Sequence, residues 1–535
     1  MTTPFKGFSP DRRMLLLGGA ALVGLAACKA AAREPIAATR AGKVRGKVEE
    51  GVNVFKGVRY GATTEGRRFL PPQPPQPWTG TLDALEYGAS SPQNPAGNGG
   101  GLYQSWQNPR PQSEDCLFLN VWTKGLADGK KRPVMVWFHG GGFATGSGSS
   151  LAYDGVRLAN RGDVVLVTVN HRLNVFGYTY LGKAGGAAFA DSGNAGNLDM
   201  IQSLEWVRDN IAEFGGDAGN VTIFGESGGG SKVSTLMAMP KAEGLFHRAI
   251  VQSGSTLAVR TAEAAAETSQ AFMDACGAKT AEELQALPEE KLLSAILVPG
   301  GAVPGAPPPG GGTPGPVMDG GSLPRQPFTP DAPPGTKSVP RLIGTTKDEQ
   351  AGLMGARDPK LFDLKWEDLP ARLDSFKARG LDVTAAVAKT RALYPDANPA
   401  DVFFIIQTET GMRRNAILQA ERKSAQGGAA AYMYLLTHET PVDGGKWNAP
   451  HAYDLVFMFD NVAKSASFVG EDPNAQKVAD AMSTAWIKFA RDGNPGWDAY
   501  TADHRAVMAF DTESKVVIDP RSEERQMYAG LKAPA

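Results

Sequence analysis

The sequence predicts an α/β protein built on a mostly parallel, doubly wound central sheet with helices on both faces. Two observations lead there. Short runs rich in β-branched and aromatic residues alternate along the chain with longer helical patterns, as a doubly wound sheet requires. One of those runs, Val221–Phe224, leads through Gly225-Glu226-Ser227-Gly228-Gly229 straight into a helical stretch, Gly229–Met239. The strand-like runs are Val52–Val58, Leu117–Trp122, Val134–Phe138, Val164–Asn170, Val221–Phe224, Arg248–Gln252, Leu342–Gly344 and Ala431–Leu436. Helical patterns cover Leu198–Phe214, Ala262–Cys276 and Asn474–Arg491.

The junction at Ser227 carries chemistry. To expose a hydroxyl at the end of a sheet, the backbone must turn sharply from strand to helix, and side chains two residues to either side would obstruct that turn. Gly225 and Gly229 remove the obstruction, which makes Ser227 a candidate nucleophile on a G-x-S-x-G elbow. Two phosphate-binding readings fail on the residues. Gly230 is followed by Ser231 and not by lysine, so there is no P-loop, and no G-x-G-x-x-G stands at the strand end.

A nucleophile of this kind needs donors for a developing oxyanion. His139-Gly140-Gly141-Gly142-Phe143 follows the strand-like Val134–Phe138, and consecutive glycines let backbone N–H groups converge on one point. The expected donors are the N–H groups of Gly141, Gly142 and Gly228.

Several longer segments are now informative together. Ser113-Glu114-Asp115-Cys116-Leu117-Phe118-Leu119-Asn120-Val121, Phe224-Gly225-Glu226-Ser227, the stretch from Gly193 to Asp217 and Gly493-Asn494-Pro495 resemble the type-B carboxylesterase/cholinesterase family in content and order. The likeness runs from about Ala41 to about Tyr528. It implies the α/β-hydrolase fold in one large domain, a serine–acid–histidine order of catalytic groups, ester hydrolysis and no cofactor. Among the six histidines, His451 in His451-Ala452-Tyr453-Asp454-Leu455-Val456-Phe457 is similar to the segment bearing the family's catalytic histidine. Gly344-Thr345-Thr346-Lys347-Asp348-Glu349 is similar to the segment bearing its acid, which assigns Glu349, with Asp348 as the alternative. Gln350 departs from the family's usual glycine, and Gly228 from its usual alanine. A carboxylate is needed there to fix the imidazole tautomer and to stabilise the imidazolium. The resemblance also suggests a substrate pocket touching Glu226 and Trp106. Trp106 precedes Ser113 by the spacing of the cholinesterases' cation-binding tryptophan; plain aromatic packing is the simpler expectation.

Composition narrows the partners. With Lys+Arg 55 against Asp+Glu 56, nothing argues for nucleic acid, and no H-e-x-x-H-type or C-x-x-C pattern implies a metal. The expected partner is a small-molecule ester. Cys28, Cys116 and Cys276 are the three cysteines. Cholinesterases pair the counterpart of Cys116 with an upstream cysteine that this chain lacks at Ala89–Gln93. Cys116 and Cys276 are therefore expected as free, packed thiols.

The amino terminus reads as a targeting segment. Arg12-Arg13 precedes an apolar run from Met14 to Ala27, too short to span a bilayer, and resembles a twin-arginine signal. Leu25-Ala26-Ala27-Cys28 resembles a lipobox, so residues 1–27 are expected as a signal peptide, Cys28 as a lipidated terminus on a membrane surface, 28–40 as a tether and 41–535 as the catalytic domain of an exported envelope protein. The Pro/Gly/Ala segment Val298–Pro316 is expected as a flexible linker or as a rim of the active-site mouth.

Two rivals remain at this stage. A non-catalytic adhesion or binding protein of the same fold would typically lack the nucleophile, which is present here. An amide or carbamate hydrolase would use the same triad.

Overall fold

In the main sheet, the alternation of side chains along each strand divides one continuous apolar run between two separate cores. The computed structural model describes residues 34–94, 101–108, 110–182, 185–296 and 314–532. Eleven strands form this sheet among the described residues: β1 Lys47–Glu49, β2 Val52–Arg59, β3 Phe118–Thr123, β4 Arg132–Phe138, β5 Val165–Val169, β6 Gly216–Glu226, β7 Arg248–Gln252, β8 Arg341–Thr346, β9 Ala431–Leu436, β10 Ala506–Phe510 and β11 Lys515–Ile518. Their spatial order is β1-β2-β3-β5-β4-β6-β7-β8-β9-β10-β11. From β5 across to β10 every neighbouring pair is parallel. The flanking pairs β1–β2, β2–β3, β3–β5 and β10–β11 are antiparallel.

In β4, Val134, Val136 and Phe138 face one core, where they join Leu198, Ile201 and Leu204 of α1 (Ala195–Asn210) and Val233 and Leu236 of α2 (Gly228–Leu236). Met135 and Trp137 of the same strand face the other core, with Met482, Trp486 and Phe489 of α3 (Ala475–Asp492). A strand buried on both faces must be apolar throughout, which is why these runs lacked the polar alternation of a solvent-facing sheet.

The expected elements are present with shifted ends. The helical pattern at Leu198–Phe214 starts earlier, at Ala195, and tightens at Ile211–Phe214 into a 3₁₀ turn closed by Gly215 at φ 72°. Ala262–Cys276 is helical over that same span. Strands β1, β10 and β11 were not among the runs expected from the sequence. The tether boundary needs correction as well. Ile36–Ala38 pairs antiparallel with Lys43–Arg45, and that strand pairs with Thr81–Asp83, so residues from Pro35 onward belong to the folded body. Cys116 and Cys276 are buried free thiols. Cys28, the signal segment and most of the Val298–Pro316 segment lie outside the described residues.

The carboxyl ends of β4, β6, β7 and β8 open at one edge of the parallel sheet, the edge at which ligands bind in open α/β folds. Each of these strands delivers one part of the site described next.

Candidate active site

Ser227 sits between β6 and α2 at φ 56°, ψ −124°, a conformation that a side-chain-bearing residue adopts only when its surroundings enforce it. The enforcement is visible. Its N–H donates to Gln252 O at 2.9 Å, and its carbonyl accepts from Ser231 N at 3.0 Å. A Cβ on Gly225 would lie 2.7 Å from Phe138 O and would run into the Gly229 carbonyl, and one on Gly229 would run into the Phe138 carbonyl. Glycine on both sides of the serine is thus a steric requirement of the turn.

The imidazole comes from a loop after β9. His451 is buried, and its Nδ1–H donates to Glu349 Oε2 at 2.5 Å. The other oxygen of Glu349 accepts from Ser253 Oγ at 2.6 Å and from the Thr346 N–H at 2.9 Å, so the fully buried carboxylate is held on both sides. This arrangement fixes the proton on Nδ1 and leaves Nε2 as the free base. Nε2 stands 3.1 Å from Oε1 of Glu226, the residue before Ser227, yet neither atom has a hydrogen bond of good geometry. Asp348, the alternative acid, does something else. Its Oδ2 accepts from Ala449 N at 3.2 Å and its N–H donates to Ala449 O at 3.0 Å, which ties down the loop that carries His451. At Gln350, where the resemblance leads one to expect glycine, the N–H instead donates to Thr408 Oγ1 at 3.3 Å as the chain enters a π-helical turn, Ala351–Gly355.

The oxyanion loop follows β4. Gly141 and Gly142 have φ of 85° and 64°, and the turn is closed by Ala144 N and Thr145 N donating to Gly141 O. A Cβ on Gly140 would come within 3.5 Å of the Ser227 Cβ, which places the loop directly over the nucleophile. Gly142 and Gly228 approach so closely that a methyl on Gly228 would collide with the Gly142 backbone. Among the described residues, the N–H groups of Gly141, Gly142 and Gly228 donate to no other group of the chain. Unengaged donors on a loop packed against the serine are what a tetrahedral oxyanion requires.

Residues 33–529 match the sequence model of the carboxylesterase family. The chain belongs to that family. It is 35% identical to para-nitrobenzyl esterase of Bacillus subtilis, over 92% of this chain and 98% of that protein. It is 31% identical to phenmedipham hydrolase of Pseudarthrobacter oxydans, over 90% and 96% of the two chains. The crystal structure of a Geobacillus stearothermophilus carboxylesterase superposes with a TM-score of 0.79 at 38% identity, covering 92% of this chain and 99% of that one. The fold is accordingly the α/β-hydrolase fold, and the protein is a carboxylic ester hydrolase.

Within this carboxylesterase, charge is concentrated around the imidazole. Burial alone would lower the His451 pKa, but Glu226 and then Glu349 outweigh it and push it up to about 9. Burial pushes Glu226 up to about 8 against the pull of His451. A third carboxylate is buried beside these two. Asp454, one helical turn beyond His451, is fully buried and raised to about 6 by burial, although Gln252 Nε2 and Tyr434 OH donate to it at 2.9 and 2.7 Å. Gln252 also accepts from Trp486 Nε1 at 3.0 Å through its side chain and from Ser227 N through its backbone. Asp454 lies within the His451–Phe457 segment without being assigned a role there, and for Gln252 and Ser253 the only sequence signal was a run of polar residues at the end of β7.

Trp106 takes the simpler of its two expected roles. Its ring stacks on Phe468 with centroids 4.1 Å apart, its Nε1–H donates to Ser465 Oγ at 2.9 Å, and it is 7% exposed. The loop that carries it supports the histidine loop, since Tyr103 OH donates to His451 O at 3.4 Å. Glu226, the other expected pocket residue, does lie at the reacting groups.

Proposed function

We propose that this esterase works through an acyl-enzyme on Ser227. Ser227 Oγ attacks the ester carbonyl carbon while its proton passes to Nε2 of His451. The N–H groups of Gly141, Gly142 and Gly228 take up the negative charge on the carbonyl oxygen. Collapse of the tetrahedral species breaks the bond to the alcohol oxygen, which leaves with the proton from the imidazolium. Water then repeats the sequence in reverse and frees the acid. Glu349 keeps the proton on Nδ1 throughout and balances the transient imidazolium charge. The observation that carries this reading is the buried His451–Glu349 hydrogen bond at the carboxyl edge of the sheet, beside an elbow serine and unengaged backbone donors.

Hydrolysis of p-nitrophenyl acetate and butyrate, alongside a Ser227→Ala control, tests it. Turnover by the parent protein and none by the variant is the expected result; an amide or carbamate substrate run in parallel is expected to turn over more slowly. The same reading extends to location. Arg12-Arg13 ahead of Leu25-Ala26-Ala27-Cys28 supports export and lipid attachment at Cys28, which would keep the catalytic domain on a membrane surface outside the cytoplasm.

A further inference from the structure

Five residues beyond the nucleophile, α2 carries a lysine with no solvent exposure at all. Lys232 Nζ donates to the carbonyl oxygen of His139 at 2.8 Å and lies 5.9 Å from the centroid of the Phe143 ring. His139 and Phe143 are the two ends of the oxyanion loop. No carboxylate pairs with this amine among the described residues.

Its other neighbours are neutral. The rings of His139 and His171 stack with centroids 5.0 Å apart. Each Nδ1 sits at hydrogen-bonding distance from a backbone carbonyl, that of Gly140 at 2.8 Å and that of Arg172 at 2.9 Å. A carbonyl only accepts, so both Nδ1 atoms carry the proton and both Nε2 atoms are lone pairs; neither Nε2 has a partner. Burial first, and then the charge of Lys232, holds both imidazoles well below the usual histidine range. An ammonium among a carbonyl, two neutral imidazoles and a phenyl ring is poorly compensated, and burial pulls its pKa well below the ordinary lysine value. The one hydrogen bond to His139 O offsets little of that burial cost. A methionine has the same reach and carries no desolvation cost.

What the site lacks is a negative charge, and the reaction supplies one on the other side of the loop. The ester carbonyl is neutral; the tetrahedral intermediate is not. A proton on Lys232 in a low-dielectric interior favours the transition state over the bound substrate, and the developing oxyanion in turn favours that proton. We propose that Lys232 is a positioning residue of the oxyanion hole: its Nζ holds the His139 carbonyl at the start of the loop 139–143, and its protonated form supplies the field that the oxyanion completes. This rests on the acyl-enzyme reading above.

The test compares Lys232→Met and Lys232→Gln with the parent enzyme and Ser227→Ala. Glutamine keeps an N–H donor for His139 O without the charge. In both Lys232 variants, kcat for p-nitrophenyl butyrate is expected to fall by about 10- to 100-fold while KM stays within about threefold. Inhibition by a trifluoromethyl ketone, which adds the serine to form a charged hemiketal, is expected to weaken by the same factor as kcat. The melting temperature of Lys232→Met is expected to match or exceed that of the parent, because a buried charge has been removed. The proposal is overturned if either folded variant keeps kcat within about twofold, or if the loss appears in KM alone. It is equally overturned if Lys232→Met melts far below the parent or does not fold, since Lys232 would then be a structural prop. A parent enzyme that turns over no ester, or a Ser227→Ala variant that turns over as the parent does, would instead defeat the acyl-enzyme reading itself.

Discussion

Oε1 of Glu226 stands 3.1 Å from Nε2 of His451, the nitrogen that has to be unprotonated before Ser227 can react. With Glu349 on Nδ1, the imidazole lies between two carboxylates, and both favour its charged form. Burial pushes Glu226 up as well, so the upward shift belongs to the Glu226–His451 pair, and the neutral base gains only as pH rises past the ordinary histidine range. The acidic limb of kcat/KM is accordingly expected above the ordinary histidine range. Replacing Glu226 by glutamine removes the first of the two charges and is expected to move that limb toward lower pH. A pH–rate profile of Glu226→Gln that superposes on the parent's would show that the carboxylate does not tune the base.

Ser253 is the less obvious support of the acid. Its hydroxyl donates to Glu349 at 2.6 Å inside the protein, where a hydrogen bond to a charged group contributes about 1.5–3 kcal/mol. Ser253→Ala is expected to lower stability by that order and to reduce kcat with little change in KM. Denaturant unfolding and steady-state kinetics on the same preparation check both halves; an unchanged kcat would mean that Thr346 N alone holds the carboxylate.

Two glycines of the oxyanion hole resist a side chain for opposite reasons. At Gly142 there is room for a side chain, with Ala144 N as the nearest atom at 3.9 Å, but φ is 64° and a β-branched residue resists that conformation. At Gly228 the backbone is unstrained, but a methyl group has nowhere to go except into Gly142. Gly142→Val should displace a donor, and loss of one such donor typically costs about 10²–10³ in kcat, whereas Gly228→Ala, the residue usual in the family, should make the Gly142 turn shift at a smaller cost. Full activity in Gly228→Ala would mean that the loop retreats without losing its geometry.

How far the sequence reached follows from what each part of the site depends on. Ser227, Glu349, His451 and the glycines were readable because their chemistry constrains neighbours in the chain: flanking glycines at the elbow, a glycine run in the loop, a carboxylate after a strand. Geometry then separated Glu349 from Asp348, since only the former reaches the imidazole. Gln252, Ser253, Asp454 and Lys232 act across elements far apart in sequence, and a buried polar residue looks in sequence like an exposed one. Strands β10 and β11 escaped for a related reason. They are short, five and four residues, and the outer one is largely exposed although Val516, Val517 and Ile518 are apolar.

The envelope reading has its own consequence. Dual or multiple acyl chains hold a protein on a bilayer where one chain does so only marginally. The native protein is expected in the membrane fraction and to be released by detergent, whereas Cys28→Ser is expected to become soluble or to stay unprocessed. Replacing Arg12 and Arg13 by lysine is expected to leave the precursor in the cytoplasm. A soluble native protein whose first residue is not Cys28 would end the anchor proposal and leave the catalytic one untouched.

The central claim is that Ser227 carries the acyl group, and one measurement addresses it directly. Enzyme mixed with a slowly deacylating p-nitrophenyl ester and quenched in acid can be weighed intact and then mapped by peptide. The account predicts a mass increase equal to the acyl group, located on the peptide containing Ser227 and absent from Ser227→Ala. An adduct on another residue, or ester turnover with no adduct formed during a p-nitrophenol burst, would contradict it.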